Sequence, residues 1–416
     1  MIVRNLDFII SGHGFLKTEG RRPTIDDLGV IRGPVDIEWN ESTGRILQIG
    51  KSLTPTPGAG VSEWDGTSLF ATPGLVDSHT HSLFQGTRAD EAFLRLGGAT
   101  YVEISQRGGG IHRTMTALSQ ADSLSLLNDL SEKLRQMAQT GITTVEVKSG
   151  YGKDAESEIS QLKTLQQLKR SPERLPQLKV TFLGLHALPK GVLEKDFVDS
   201  MIGILPQVAQ EKLADFVDAF PEKGFFSLKE SERFVVEALK HGLRAKIHAD
   251  EITDMSAAET FAKRGALSVD HLQNVSDSAV GFLSTDSCVG TLLPSTSFFL
   301  GIPYAPARKL LTAGVRVALA SDYNPGTAPE LGLGLTMRLA ALQYRMTAAE
   351  IFCAVTHNGA QALGLAETGV LVPGHHADLC VWKAVDPDPF NNLCHLVLEQ
   401  ARVTQAWSNG RPLTGT

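Results

Sequence analysis

The middle of the chain alternates short, almost wholly apolar runs with longer stretches whose apolar residues recur at helical spacing. Eight runs of the first kind cover residues 74–78, 143–148, 180–185, 214–220, 243–247, 266–269, 288–293 and 315–321. Runs apolar on both side-chain parities read as strands buried on both faces, the habit of parallel sheets. Between them, residues 121–139, 155–169, 228–240 and 305–312 follow the i, i+3, i+4 pattern of amphipathic helices. Eight strand–helix units predict an α/β fold, a (β/α)8 TIM barrel whose active site gathers at the carboxyl ends of the strands. An open doubly wound sheet is the alternative reading of the same pattern.

The two ends are patterned differently. Residues 1–66 carry β-type runs (30–39, 45–49) broken by Gly, Pro, Asp and Asn, and the segment opening at Met1 reads as a strand interrupted by Arg4 and Asp7. Residues 367–416 repeat the style, with runs at 370–371, 377–382 and 403–407 separated by Pro373-Gly374 and Asn409-Gly410. A small β-sandwich domain built from both termini is therefore expected around a barrel spanning 67–366. No internal repeat interrupts this scheme.

Chemistry appears just beyond the strand ends. The first run leads into His79-Thr80-His81, and residues two apart in extended chain share a face, so both imidazoles can grip one ion. The third run ends at His186, the fifth at His248, the sixth at Asp270-His271 and the eighth at Asp322. His79, His81, His248 and Asp322 form a candidate ligand set for one divalent ion, imidazoles with a carboxylate suiting Zn2+ or Fe2+. A two-metal version would need a bridging lysine carboxylate. The fourth run offers none, and Lys148 after the second reads as a solvated or salt-bridged strand end. A single metal with an open position activates water and polarises a carbonyl, which suits C–N bond hydrolysis. Glu251, three residues beyond His248, and His271 are the proton-shuttle candidates, with the division between base and acid open.

Composition narrows the partners. Of 416 residues, 39 are Lys or Arg and 46 Asp or Glu, a net charge of −7. That balance, with no basic run, speaks against nucleic acid and for a small-molecule substrate. Four cysteines without CxxC spacing suit a reducing compartment. With no membrane-length apolar stretch and no signal-peptide pattern, a soluble cytoplasmic protein is expected.

Several strings are more specific: GLVDSHTH (74–81), GGATYVEI (97–104), GGGIH (108–112), GITTVEVKSGYG (141–152), TFLGLHALP (181–189), KIHADE (246–251), DHL (270–272), LLPSTSFFL (292–300), ALASDYNPGTAP (318–329) and RMTAAE (345–350). In these the chain resembles the imidazolonepropionases of the amidohydrolase superfamily. The resemblance implies a hydrolase that opens the ring of 4-imidazolone-5-propanoate to N-formimidoyl-L-glutamate in histidine degradation. It implies that His79, His81, His248 and Asp322 hold the metal, and that Arg88, Tyr151, His186 and Glu251 contact the substrate. It also implies that Tyr151, Asn324, Gly326 and Thr327 hold the opened product, and that the chain forms a homodimer. Arg88 suits a propanoate carboxylate because a guanidinium binds one bidentately. The catalytic candidates are thus Glu251, His271 and His186. The glycine triplet 108–110 reads as a lid over the substrate or a plain loop. The family commonly has Ser at Thr327, and His357 reads as structural. A deaminase of the same superfamily, acting on a purine, pyrimidine or triazine, is the competing reading; a neutral heterocycle would have no need of Arg88.

Overall fold

The computed structural model describes residues 1–56, 62–99, 103–104, 108–399 and 401–413. Residues 100–102 of the GGATYVEI string lie outside the described residues. Five strands precede the barrel: β1 (Ile2–Ile10), β2 (Val30–Asn40), β3 (Arg45–Gly50), β4 (Glu63–Asp65) and β5 (Leu69–Pro73). The barrel strands are β6 (Leu75–Asp77), β7 (Ile142–Lys148), β8 (Gln177–Leu185), β9 (Phe216–Ala219), β10 (Arg244–Ala249), β11 (Ser268–His271), β12 (Val289–Leu292) and β13 (Val317–Leu319). Three more follow: β14 (Leu379–Lys383), β15 (Val403–Ser408) and β16 (Arg411–Pro412).

Each of the eight apolar runs overlaps one barrel strand, and the strands pair in parallel in sequence order from β6 to β13. The ring closes just beyond the last pair. His81 N–H donates to Tyr323 C=O at 3.0 Å, and Asp322 N–H donates to His79 C=O at 3.0 Å. Asp77 bolts the same seam from inside, accepting from the Ser321 backbone at 3.0 Å and the Ser321 hydroxyl at 2.6 Å. Closure is therefore made by the two segments that carry three of the four ligand candidates. The outer helices start where short polar side chains take up free backbone N–H groups. Asp154 caps Ala155–Lys169 and Ser227 caps Leu228–Lys240. No helix among the described residues is long and apolar enough to cross a membrane.

The terminal strands form one mixed sheet, in the order β16-β15-β14-β5-β1-β2-β3, with β4 beside β1. The N- and C-terminal contributions meet where β14 runs antiparallel to β5, from Leu379 opposite Pro73 to Lys383 opposite Leu69. A separate apolar cluster sits here, with Val3, Leu6, Ile37 and Val381 around the edge-on pair Trp39–Trp407 at 5.4 Å. The apolar pair 370–371 is not a strand. It lies between Gly369, at φ +86°, and Pro373, and its one sheet-like bond is Leu371 N–H to Ser11 C=O at 2.8 Å.

Trp382 fastens this sheet to the barrel. Its indole N–H reaches the Thr72 hydroxyl at 2.9 Å, and its ring lies over Gly141, where an added Cβ would come within 2.4 Å of the ring. Gly141 is needed twice, for that approach and for its φ of +92°. Replacing Trp382 with Ala empties a buried site between the two parts. The expected cost is about 3–5 kcal/mol, read as an earlier unfolding midpoint in guanidinium chloride.

Candidate metal centre and active site

Beyond β6 the chain stays extended, so His79 and His81 turn inward while Thr80 turns outward to the Glu146 carbonyl at 2.6 Å. The Nε2 atoms of His79 and His81 approach to 3.3 Å, and His248 from β10 brings its own Nε2 within 3.3 Å of His81. Asp322 follows β13 in a left-handed conformation, φ +57°, and puts Oδ1 3.3 Å from His81 Nε2 and 3.6 Å from His79 Nε2. Its other oxygen accepts from the Thr296 hydroxyl at 2.5 Å. Donor atoms from three strand ends are thus crowded around His79 and His81. His79, His81 and His248 form a cluster able to hold a metal ion, and His271 joins His79 and Asp322 in an overlapping one.

Electrostatics favour the same use. Burial, reinforced by the Lys148 ammonium, pulls His81 down to about 3, and burial holds His79 and His248 well below the ordinary histidine range. The imidazoles are therefore neutral near pH 7, with lone pairs available to a cation.

Behind the imidazoles lies a buried ionic layer. Asp270 Oδ2 takes His79 Nδ1 at 2.7 Å, and Asp218 Oδ2 stands 3.0 Å from His248 Nδ1. Lys148 donates to Asp218 at 2.8 Å and to Glu146 at 3.0 Å, and Lys246 lies 3.5 Å from Asp270. Lys148 is thus a buried salt-bridged strand end, wholly engaged by carboxylates. A carboxylate behind a ligating histidine sets which ring nitrogen carries the proton and raises the basicity of the other. Two ammonium groups stand among the carboxylates of Glu146, Asp218, Asp270 and Asp322, an excess of negative charge that a divalent cation would offset.

A cavity of about 670 Å³ opens over this cluster. Its walls include Arg88, Tyr151, His186, Glu251, His271, Asn324 and Thr327, so nearly every residue expected to touch substrate or product faces one space. Glu251 and His271 face each other at 3.7 Å. Burial, with the Asp322 and Glu222 carboxylates adding to it, pushes Glu251 up to about 8, and burial lowers His271. His186 stacks on His81 with ring centres 4.8 Å apart, and its Nδ1 lies 3.2 Å from the Gly150 carbonyl. That contact makes Nδ1 the protonated nitrogen and leaves Nε2 as an acceptor.

Gly326 is the exception. It does not line the cavity, and its backbone N–H is already bonded to Asn324 Oδ1 at 2.9 Å. Asn324 Oδ1 also accepts from Thr327 N–H at 2.8 Å, and its amide donates to Asp322 C=O at 2.7 Å. The Asn324 side chain holds the turn together rather than reaching out. Gly326 makes room for Arg88, whose guanidinium carbon would lie 2.3 Å from any Cβ there.

Comparison with known proteins agrees with this geometry. The model of the amidohydrolase family matches residues 103–413. The imidazolonepropionase of Caldanaerobacter subterraneus subsp. tengcongensis is 42% identical over 83% of this chain and 83% of its own length. That of Bacillus thuringiensis strain Al Hakam is 41% identical over 88% and 86%. This chain belongs to the imidazolonepropionase family of the amidohydrolases. Among solved structures, the atrazine chlorohydrolase of Arthrobacter aurescens TC1 complexed with zinc superposes with a TM-score of 0.72 at 19% identity, covering 100% of this chain and 97% of that one. The adenosine deaminase of Xanthomonas campestris with bound zinc gives 0.68 at 17%, covering 99% and 92%. At such identities these neighbours show a shared fold.

In this imidazolonepropionase-family chain, reading strand ends missed Glu146, Asp218 and Lys246 inside the strands and noted Lys148 and Asp270 without their partners. All five are charged and buried. A charge in a strand buried on both faces must be paired, so their presence was itself the signal. Glu158 was also missed. Fully buried in the helix Ala155–Lys169, it accepts from the backbone of Gly152 at 2.6 Å and Gly150 at 3.1 Å, and so holds the turn that carries Tyr151.

Two tests follow from this support. Asp270→Asn should weaken metal retention by about 10–100-fold, measured by competition with a chelator. Burial raises Glu158 to about 7, so its protonated form is favoured on folding. That contribution is present below the unfolded carboxylate range and is lost as pH rises through about 7. Between pH 6 and 8 the native protein should lose about 1 kcal/mol relative to Glu158→Gln, compared by denaturant unfolding at each pH.

Proposed function

We propose that the chain hydrolyses the cyclic amide C–N bond of 4-imidazolone-5-propanoate to give N-formimidoyl-L-glutamate. One observation supports this substrate over a neutral heterocycle: Arg88 is a buried guanidinium in the wall of the cavity that opens onto the histidine cluster. A purine or pyrimidine has no carboxylate for it; the propanoate arm has one. His79, His81, His248 and Asp322 would hold one divalent ion, Zn2+ or Fe2+, which when bound polarises a carbonyl and acidifies water.

The reaction adds water across the ring amide. Oxygen ends on the carbonyl carbon, the C–N bond breaks, and one proton reaches the departing nitrogen. Arg88 binds the propanoate, and Tyr151 and the Nε2 acceptor of His186 orient the ring. Glu251 exchanges protons near neutral pH because burial holds it at about 8, which suits taking the proton from water and handing it to nitrogen. Burial keeps His271 neutral, which suits a hydrogen-bond partner for charge developing on the carbonyl oxygen. Thr327, in the turn braced by Asn324, is on the cavity wall and offers a hydroxyl to the new carboxylate. All these groups come from one chain, so a homodimer would carry two separate sites. A cytoplasmic location belongs to the same reading, and the four cysteines are unpaired.

The test generates imidazolonepropanoate in place from urocanate with urocanase and follows its ultraviolet absorbance. Faster decay, lost in Asp322→Ala and on chelation, is the expected outcome. Glu251→Gln should lower kcat by about 10²–10⁴-fold. Decay no faster than the spontaneous rate, with ammonia released from guanine or cytosine, would transfer the reading to a deaminase.

A further inference from the structure

Arg88 does not stand alone. Glu91, three residues on and in the first turn of the helix Ala89–Leu96, places Oε2 3.0 Å from both Nε and Nη2 of Arg88. Its other oxygen accepts the backbone N–H of Gly110 at 2.9 Å. Glu91 is 2% exposed and is not part of the cavity wall. Arg113 approaches Oε1 to 3.9 Å but is paired more closely, at 2.7 Å, with Asp90. On the far side of the guanidinium, Gly326 leaves the space that a Cβ would deny it. Gly109 does the same for Glu91, since a Cβ there would lie 2.9 Å from Oε1 and 2.7 Å from the Ile104 side chain.

We propose that Glu91 is the positioning residue for carboxylate recognition: it holds the Nε–Nη2 edge of Arg88 and ties it to the Gly110 backbone, fixing the guanidinium in the cavity wall. This gives Gly109 and Gly110 a role that turnover chemistry leaves unexplained. A guanidinium has five donors in a rigid plane, so occupying one edge decides which edge a ligand meets. The proposal rests on the carboxylate-bearing substrate assigned above.

Two effects of Glu91 on an anion oppose each other, and they separate by mutation. As a charge it repels the substrate carboxylate; as an anchor it aims Arg88. Glu91→Asp keeps the charge but is one methylene too short to span Arg88 and Gly110. Glu91→Gln keeps the reach and drops the charge. Positioning requires Glu91→Asp to raise KM by about 10-fold or more, the scale of one charge-assisted hydrogen bond, with kcat within a few-fold and metal content unchanged. Glu91→Gln should bind the substrate at least as well as Glu91→Asp, and Gly109→Ala, which crowds the carboxylate without touching charge, should resemble Glu91→Asp.

Competitive inhibition by imidazole-4-propanoate and by 4-methylimidazole completes the test. In Glu91→Asp the first should weaken about 10-fold and the second should be unmoved. Equal weakening of both inhibitors, or an unchanged KM in Glu91→Asp with a lowered one in Glu91→Gln, would overturn the positioning role. If the wild-type enzyme does not consume imidazolonepropanoate, it is the substrate assignment that fails; direct binding of the imidazole pair, measured by calorimetry, still reports on Arg88 and Glu91.

Discussion

Imidazoles can crowd together away from water only if they stay neutral and if something holds each ring in register. Here both conditions are met by charges placed one layer deeper. Lys148 and Lys246 pair with the carboxylates of Glu146, Asp218 and Asp270, and two of those carboxylates brace His79 and His248. Without the lysines the carboxylates would sit unpaired in a low-dielectric interior, where each would carry a penalty of several kcal/mol. Without the carboxylates the histidines would lose the partners that set their tautomers. The polar layer inside the barrel is therefore a condition for the histidine cluster.

The same device recurs farther from the histidine cluster. Glu158 gathers the N–H groups of Gly150 and Gly152, Glu222 those of Ile252 and Thr253 at 2.9 and 3.1 Å, and Glu91 that of Gly110. In each case a buried carboxylate folds a loop around itself, and the loop or its neighbour presents a cavity residue: Tyr151, Glu251 or Arg88. Loop backbone buried at a barrel mouth has donors that water cannot reach, and a carboxylate supplies two acceptors at once. The site is thus carried on short braced turns whose geometry is settled before a ligand arrives, the arrangement that positioning a reaction requires.

Left-handed backbone marks the places where strands stop being strands. Asp250, His271, Leu272 and Asp322 all take positive φ, uncommon for residues other than glycine. Each lies at or just past the end of a barrel strand. There the chain must leave the sheet while keeping a side chain aimed inward, and the surrounding hydrogen bonds hold it in a conformation it would not choose alone.

The eight strands, their order and the parallel sheet were legible because a strand buried on both faces writes itself as an apolar run. The histidine cluster was legible because its members stand at the ends of those runs. The strand at residues 370–371 was misread because two apolar residues have no period, and Gly369 with Pro373 decided the backbone there. Tertiary structure alone could assign the partners. Nothing local pairs Lys148 with Asp218, Asp270 with His79 or Gly326 with Arg88, residues separated by 70, 191 and 238 positions and brought together only when the ring closes. Local pattern determines which residues must be buried and on which face. Which charge neutralises which is settled by distance through space, and that exists only in the closed barrel.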